Sequence, residues 1–288
     1  MKYQMTGGLR MNFKLKDFSP EHTFECGQCF RWERQTDKSY IGVAGEKAVR
    51  ISAHGDDITI DGIEKPEFES FWRKYLDCDR DYGEIKKRVS VNPVMKEAVS
   101  YGGGIRILRQ EFHEALISFI ISQRSSIPRI KTCVRRLCER YGESIYFEGK
   151  QYFTFPAPEK LAQISEKEFS ELGTGYRAPY LYGAAQSLAD GTFCAAELSS
   201  LSTPEARKKL LSVRGIGDKV CDCILLFSLG KYDLFPSDVW IKRTMAEYFG
   251  TDNAKEDGER FFGEYSGFAQ QYLFYWRKSI PFGKAVNI

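Results

Sequence analysis

The segment that most constrains the fold of this chain is a short glycine turn, Gly215-Ile216-Gly217, with a helical pattern on each side. Glycine permits a sharp turn and lets another chain approach the backbone closely. A new helix opens immediately after the turn, and main-chain N–H groups at a helix N-terminus bind phosphate well. The segment therefore predicts two helices joined by a turn that holds a phosphate backbone without reading base sequence.

A lysine and an aspartate follow this turn at a spacing that lets the two side chains lie close together and act in catalysis. Lys219 falls in the first turn of the second helical pattern, where the positive end of the helix dipole favours the neutral, nucleophilic amine. A helix over 218–229 and a short loop can return the chain, so Asp238 can come close to Lys219. The structural alternatives are a solvated surface lysine and an aspartate that only caps the helix predicted at 239–249.

Size and charge exclude several classes of protein. With 288 residues, 42% of them hydrophobic, the chain can bury a large core, which excludes a small disulfide scaffold. The net charge of +3 predicts that any nucleic-acid surface is a local basic patch. The sequence has neither a signal-like N-terminus nor an apolar run of about 18 residues, so we expect no membrane contact.

Cysteine usage predicts a reduced, intracellular protein, because the eight cysteines lie among good helix and strand formers. Two close pairs, Cys26 with Cys29 and Cys221 with Cys223, leave a metal or redox site open as an alternative. The first pair has the spacing of zinc and redox sites, but its context is strand-like and neither a histidine nor a second suitable cluster accompanies it, so we expect no metal ligands.

The pattern along the chain changes from strand-like to helical. Alternating residues and turn signals predict short strands at 24–34, 39–44, 47–52 and 57–61. Aromatic residues at helical spacing follow Pro66, and from residue 111 amphipathic helices dominate. The predicted helices are 111–122, 128–141, 158–163, 166–172, 178–190, 204–211, 218–229, 239–249 and 256–278. The glycine run 102–104 predicts a boundary between a domain of residues 1–104 and one of residues 105–288.

The turn and its lysine and aspartate resemble the helix-hairpin-helix, Gly-Pro-Asp superfamily of base-excision DNA glycosylases, and within it the 8-oxoguanine branch. Four further segments, residues 27–32, 119–124, 172–177 and 267–274, resemble that branch in the same order. The resemblance covers nearly the whole chain and implies an α+β fold. An N-terminal antiparallel sheet domain would pack on a helical body with the helix-hairpin-helix at about 204–229, and the last helices would return to the N-terminal domain.

The resemblance implies a bifunctional DNA glycosylase and apurinic/apyrimidinic lyase that excises 8-oxoguanine from duplex DNA in base excision repair. Lys219 would attack the sugar C1′ atom to give a Schiff base, and Asp238 would stabilise the developing positive charge and help to deprotonate the amine. Two alternatives remain. A monofunctional glycosylase for alkylated or mismatched bases is disfavoured by Lys219, and a non-catalytic DNA-binding module by the pair of Lys219 and Asp238.

A lesion pocket is implied by four residues. The lesion differs from guanine at N7, which is a hydrogen-bond donor in 8-oxoguanine, and the resemblance assigns the matching acceptor to the backbone carbonyl of Gly27. Gln270 and Phe274 are four residues apart on the last helix and would contact the base edge and the base face. Cys223 lies one helical turn beyond Lys219 and would contact the opposite face. A strand bulge at Gly27 and ordinary core packing of the others are the structural alternatives.

The resemblance also implies residues that fill the gap left by the extruded base and contact the unpaired cytosine. Tyr176 matches the wedge, and Arg129 and Arg177 match the two arginines that contact cytosine. Arg124 also belongs to this set but departs from the family, which has asparagine at this position in eukaryotes. Trp240 departs as well, since a histidine commonly stands there. Both changes concern how the gap and the phosphates are contacted.

Partners and cofactors follow from the same resemblance. Backbone N–H groups near Gly215, Gly217 and Val220 would bind phosphate, and a structural cation could bridge the turn. No cofactor is required, and an iron–sulfur cluster is not expected because no cysteine follows Cys223. We expect a monomer that binds double-stranded DNA containing oxidised guanine. The lack of targeting extensions favours the cytoplasm or nucleoid of a prokaryote.

Overall fold

The first part of the chain forms an antiparallel sheet, as its pattern predicts. The computed structural model describes residues 9–280. Its strands are β1 (Arg10–Lys14), β2 (Trp32–Arg34), β3 (Tyr40–Ala44), β4 (Lys47–His54), β5 (Asp57–Asp61), β6 (Ser144–Phe147) and β7 (Lys150–Phe153). Five of them form one sheet in the order β1-β5-β4-β3-β2, and β6 and β7 form a separate hairpin. The fold class is therefore α+β.

Helices form most of the remaining chain. They are α1 (Pro20–Glu25), α2 (Lys65–Glu67), α3 (Arg73–Tyr75), α4 (Tyr82–Val89), α5 (Pro93–Tyr101), α6 (Phe112–Ser122), α7 (Ile127–Tyr141), α8 (Pro158–Leu161), α9 (Glu166–Phe169), α10 (Ala178–Ala189), α11 (Ala195–Ser200), α12 (Thr203–Leu211), α13 (Asp218–Ile224), α14 (Val239–Phe249), α15 (Ala254–Phe262) and α16 (Ser266–Ser279). Short π-helical segments occur at Phe68–Trp72, Ser170–Thr174 and Leu225–Leu229. Within residues 9–280, no helix combines the length and apolar character needed to cross a membrane.

Two predicted elements are wrong. The strand predicted at 24–34 forms only at its end, as β2, and residues 26–31 form a loop. Its first two residues belong to α1, which starts with a favourable Ser19-Pro20 pair: the Ser19 hydroxyl accepts from the backbone N–H of His22 at 3.3 Å. The single helix predicted at 256–278 is divided into α15 and α16. Gly263, with a φ of 53°, interrupts it in a conformation that glycine adopts easily.

The predicted domain boundary at residue 104 stays a prediction. One hydrophobic cluster lies mainly under the sheet, where the rings of Phe24 and Trp32 stack with centroids 4.0 Å apart. The larger cluster belongs to the helical body, yet it includes Met95 of α5, which precedes the boundary. The predicted ends of both domains, residues 1–8 and 281–288, lie outside the described residues. The last helix contacts the N-terminal part, because the Gln271 amide donates to the Cys26 carbonyl at 2.7 Å.

A buried carboxylate joins three helices around the hairpin. Asp222 on α13 has a side chain that is only 1% exposed, and it accepts from the Arg207 guanidinium of α12 at 2.6 Å. The Lys255 ammonium of α15 binds its other oxygen. The Arg207 guanidinium also contacts Asp218 at 2.8 Å. These ion pairs fix the helix that carries Lys219.

We expect Asp222→Ala to lower the free energy of unfolding by about 3 kcal/mol, because it leaves two partly buried cations without their carboxylate. Chemical denaturation measures this loss. Asp252→Ala is the control, since Asp252 is exposed, and it should change stability by less than about 0.5 kcal/mol. Equal losses in the two variants would show that the buried ion pairs do not stabilise the hairpin.

Candidate active site

The glycine turn has the backbone conformation that its sequence predicts. Gly215 has a φ of 92°, and a Cβ atom added there would lie 2.3 Å from Cγ of Tyr180, so a glycine is required on both grounds. The turn connects α12 to α13. Within residues 9–280, the backbone N–H groups of Gly215, Gly217 and Val220 donate to no acceptor. These three groups are therefore available to bind phosphate oxygens.

Lys219, Cys223 and Asp238 lie together. The Lys219 ammonium is 5.4 Å from the centre of the Phe119 ring, and the residue is half-buried on α13. Burial raises the pKa of the Cys223 thiol to about 11, while a hydrogen bond and the positive charge of Lys219 act against this rise. The Asp238 carboxylate adds to the rise. The thiol is thus neutral near pH 7 and lies within electrostatic range of both predicted catalytic groups.

Asp238 also caps a helix. It is the N-cap of α14 and accepts a hydrogen bond from the Ile241 backbone N–H at 2.9 Å. The cap fixes the carboxylate by a backbone contact rather than by a flexible side chain. The capping role is therefore compatible with the predicted catalytic role, which stays a prediction.

Gly27 lies against Phe274. It has a φ of 84°, and a Cβ atom added there would lie 3.1 Å from Cε1 of Phe274. Sequence reasoning missed the residue that holds this loop, Gln28, although it belongs to the segment that carries the resemblance. Gln28 is fully buried, and its amide nitrogen donates to the carbonyls of Thr23 at 2.9 Å and Arg106 at 2.8 Å. Gln271 holds the loop on the other side of Gly27, because its amide donates to the carbonyl of Cys26.

The last helix places two polar groups near the same pocket. Gln270 is 5% exposed, and within the described residues its buried Oε1 atom has no hydrogen-bond partner. Buried amide oxygens normally accept a hydrogen bond, so this atom is suited to accept one from a bound ligand. Lys278, which sequence reasoning missed, lies one turn beyond Phe274 with its ammonium 5.2 Å from the ring centre. Burial lowers the pKa of Lys278, and the nearby Asp238 carboxylate acts against this change.

The predicted gap-filling residues lie on two neighbouring segments. Tyr176 is 52% exposed, and its ring centre is 4.5 Å from the Arg177 guanidinium carbon. Arg124 and Arg129 are exposed, and Arg129 donates to the Gly173 carbonyl at 3.3 Å. Arg177 is 5% exposed and donates to the Thr174 carbonyl at 3.0 Å, so it contacts the protein backbone in this structure. Contact of Arg177 with cytosine stays a prediction.

Metal ligands do not gather in the described part of the chain, where no three His, Cys, Asp or Glu side chains form a group that could hold an ion. The cysteines of the first pair are free and buried. Burial raises the pKa of the Cys26 thiol to about 11, which disfavours the thiolate that a metal or redox site would use.

Comparison with known proteins identifies relatives over the whole fold. Residues 10–116 match the model of the 8-oxoguanine DNA glycosylase N-terminal domain. Residues 117–264, just over half of the chain, match the model of the HhH-GPD superfamily of base excision DNA repair proteins. The join between these two matches lies after α5 and inside α6.

Solved structures and curated proteins agree with these matches. A structure of MBOgg1 in complex with a low-affinity DNA ligand is 41% identical, with a TM-score of 0.92 over 97% of this chain and 99% of that one. The Clostridium acetobutylicum 8-oxoguanine glycosylase/lyase, bound to double-stranded DNA with cytosine opposite 8-oxoguanine, is 42% identical, with a TM-score of 0.89 over 92% and 93%. The Arabidopsis thaliana N-glycosylase/DNA lyase OGG1 is 29% identical over 88% of this chain and 75% of its own length.

Proposed function

Because this chain belongs to the HhH-GPD superfamily of base excision DNA repair proteins, we propose that it excises 8-oxoguanine from duplex DNA and then cleaves the strand as a lyase. The observation that carries the proposal is the grouping of Lys219, Cys223 and Asp238 beside the phosphate-binding turn. A DNA-binding module without catalysis needs neither the amine nor the carboxylate. A glycosylase that uses water has no need of Lys219.

The reaction proceeds in two steps through the Lys219 amine. In the first, the amine attacks C1′ as the bond from C1′ to the base breaks, and the base leaves with the bonding electrons and takes up a proton. The Asp238 carboxylate stabilises the positive charge on the sugar and accepts a proton from the attacking amine. In the second, the C1′–O4′ bond breaks, O4′ takes up a proton, and the bond from C1′ to nitrogen becomes the double bond of the Schiff base. The Schiff base lets a C2′ proton leave, and β-elimination expels the 3′-phosphate and cleaves the strand.

The lesion is recognised in the pocket between Gly27 and the last helix. An extruded base enters between Phe274 and Cys223, whose neutral thiol and small size permit close stacking. The Gly27 carbonyl accepts from the N7–H group of 8-oxoguanine and repels the N7 lone pair of guanine. Gln270 has a free acceptor, Oε1, for a donor on the base edge.

Substitution of Gly27 by alanine should separate the two steps. The added Cβ narrows the space beside Phe274, so we expect release of 8-oxoguanine to fall about 10²-fold. Cleavage of a preformed abasic site should keep its rate, because that reaction has no base to accommodate. Single-turnover assays on both duplexes measure the two rates.

Gly55→Ala is the matched control for backbone strain. Gly55 also has a positive φ, 62°, but a Cβ atom there would meet no atom within 4 Å. Both alanines should lower stability by about 1–2 kcal/mol. Gly55→Ala should leave base release unchanged. A slow base release in both variants, or in neither, would remove Gly27 from the lesion pocket.

The proposal also covers the oligomeric state of the enzyme, its cofactor requirement and its location. The enzyme acts as a monomer on double-stranded DNA, and its lysine chemistry needs no cofactor. A cation bound at the hairpin would help to hold phosphate without taking part in the reaction. The similarity to a Clostridium enzyme supports a location in the cytoplasm or nucleoid of a prokaryote.

The function is tested by incubating the protein with duplexes that carry 8-oxoguanine, guanine or an alkylated purine opposite cytosine. We expect free 8-oxoguanine and a cleaved strand from the first duplex only. Release of the alkylated base without strand cleavage would favour the monofunctional alternative. Binding without any base release would favour the non-catalytic one.

A further inference from the structure

The side chain of Gln123 ties the phosphate-binding turn to the end of a core helix. Gln123 follows the last residue of α6, and its Nε2 atom donates to the Gly215 carbonyl at 2.9 Å. The same atom is 3.3 Å from the Ile120 carbonyl of α6. Tyr180 fills the space beside Gly215, where a side chain would otherwise point. The amide of Gln123 therefore fixes the position of the turn relative to α6.

The main chain of Gln123 is bound to the predicted gap-filling segment. Its carbonyl accepts from the Arg177 guanidinium, with Nε at 2.8 Å and a second bond from Nη2. The Tyr176 hydroxyl lies 3.4 Å from the same carbonyl. The Arg177 Nη2 atom also donates to the Arg124 carbonyl at 3.3 Å. Gln123 thus joins the glycine turn, through its side chain, to Tyr176 and Arg177, through its carbonyl.

The next residue, Arg124, is held in an uncommon conformation. Its φ is 46°, a region that residues other than glycine seldom occupy and that persists where neighbouring contacts enforce it. Its side chain is exposed, and its guanidinium forms no hydrogen bond or ion pair inside the range 9–280. The contacts of Gln123 and Arg177 thus fix the backbone of an arginine whose charge is available to DNA.

We propose that Gln123 is a positioning residue that couples phosphate binding at the hairpin to insertion of Tyr176 and Arg124 into the gap left by the extruded nucleotide. This inference rests on the proposed function of the same site. A hairpin bound to phosphate holds the Gly215 carbonyl in place, and through Gln123 it also holds the segment that enters the duplex. Without this link, the hairpin still binds phosphate, but the gap-filling segment is no longer fixed relative to it.

The test compares two duplexes in fluorescence anisotropy, one intact and one with a tetrahydrofuran abasic analogue, which leaves a gap. Gln123→Met keeps the length of the side chain but removes the donor. We expect it to lower the ratio of affinities, gapped over intact, about fivefold, as loss of one hydrogen bond would. Affinity for the intact duplex should stay within about twofold, since no phosphate contact is lost.

The matched control is Gln186→Met. Gln186 makes the same kind of bond, from its amide nitrogen to the Ala162 carbonyl at 2.7 Å, and that carbonyl follows α8 and is not part of the hairpin. This variant should keep the ratio of affinities of the native protein, and thermal unfolding of both variants measures any loss of stability. An unchanged ratio in Gln123→Met, or an equal fall in both variants, would overturn the coupling.

A combined variant shows whether Gln123 acts through the two inserted side chains. In a background that carries both Tyr176→Ala and Arg124→Ala, Gln123→Met should change the ratio by less than about twofold, because coupled residues are not additive. A full additional fivefold fall would contradict the proposal, and so would a native protein that does not prefer the gapped duplex. Failure of the proposed function looks different: the native protein would prefer the gapped duplex yet release no 8-oxoguanine.

Discussion

Lys219→Gln is expected to abolish base release, strand cleavage and the covalent intermediate together, with single-turnover rates at least ~10⁴-fold below those of the native protein. Glutamine has no amine to attack C1′, and its amide is polar enough for a half-buried position. The substitution removes the contact of the ammonium with the Phe119 ring and its electrostatic interaction with the Cys223 thiol. We therefore expect binding of lesion-containing duplex to persist.

Lys208→Gln is the control for this prediction, because Lys208 is exposed on α12 of the same hairpin. It also loses one positive charge but should keep the native rate at saturating protein. Strand cleavage at the native rate by Lys219→Gln would remove this lysine from the mechanism. An equal loss in both variants would attribute the effect to charge rather than to the nucleophile.

Asp238→Asn should lower the rate of base release about 10³-fold while the protein stays folded. The substitution removes the negative charge that stabilises the sugar cation. An asparagine oxygen can still accept from the Ile241 N–H, because asparagine and aspartate cap helices about equally well. Single-turnover kinetics and chemical denaturation measure the two effects separately.

Asp238→Ala separates catalysis from capping. It should lose the same catalytic factor and, in addition, about 1 kcal/mol of stability, since alanine cannot accept the capping hydrogen bond. If Asp238→Asn were as active as the native protein, capping would be the whole role of this residue. Native stability in Asp238→Ala would show that the cap is unimportant.

The parts of the site that could be predicted from sequence are those set by local backbone requirements. The turn at Gly215 needs a positive φ and close packing, and both leave a glycine signature in the sequence. Asp238 stands two residues after Pro236 and directly before a helical pattern, which is the signature of an N-cap. The strands from 39 to 61 alternate clearly enough to predict an antiparallel sheet, and the structure has that sheet.

The parts that could not be predicted depend on contacts between distant segments. Gln28 and Gln271 fix the Gly27 loop through hydrogen bonds to residues far along the chain, and an isolated glutamine carries no signal of such a partner. The guanidinium of Arg177 is buried against backbone carbonyls of another segment, whereas arginine is usually exposed. The hairpin of β6 and β7 could also not be predicted, because its strands are short and lie between two helices, α7 and α8.

Trapping with borohydride on a duplex with 8-oxoguanine opposite cytosine tests the central claim most directly, when followed by peptide mapping of the adduct. Reduction of a Schiff base leaves a stable bond between the sugar and the amine that attacked it. We predict a single adduct at Lys219 with the lesion duplex and none with undamaged DNA. An adduct at Lys278, a second amine near Asp238, or base release without any adduct would contradict the account.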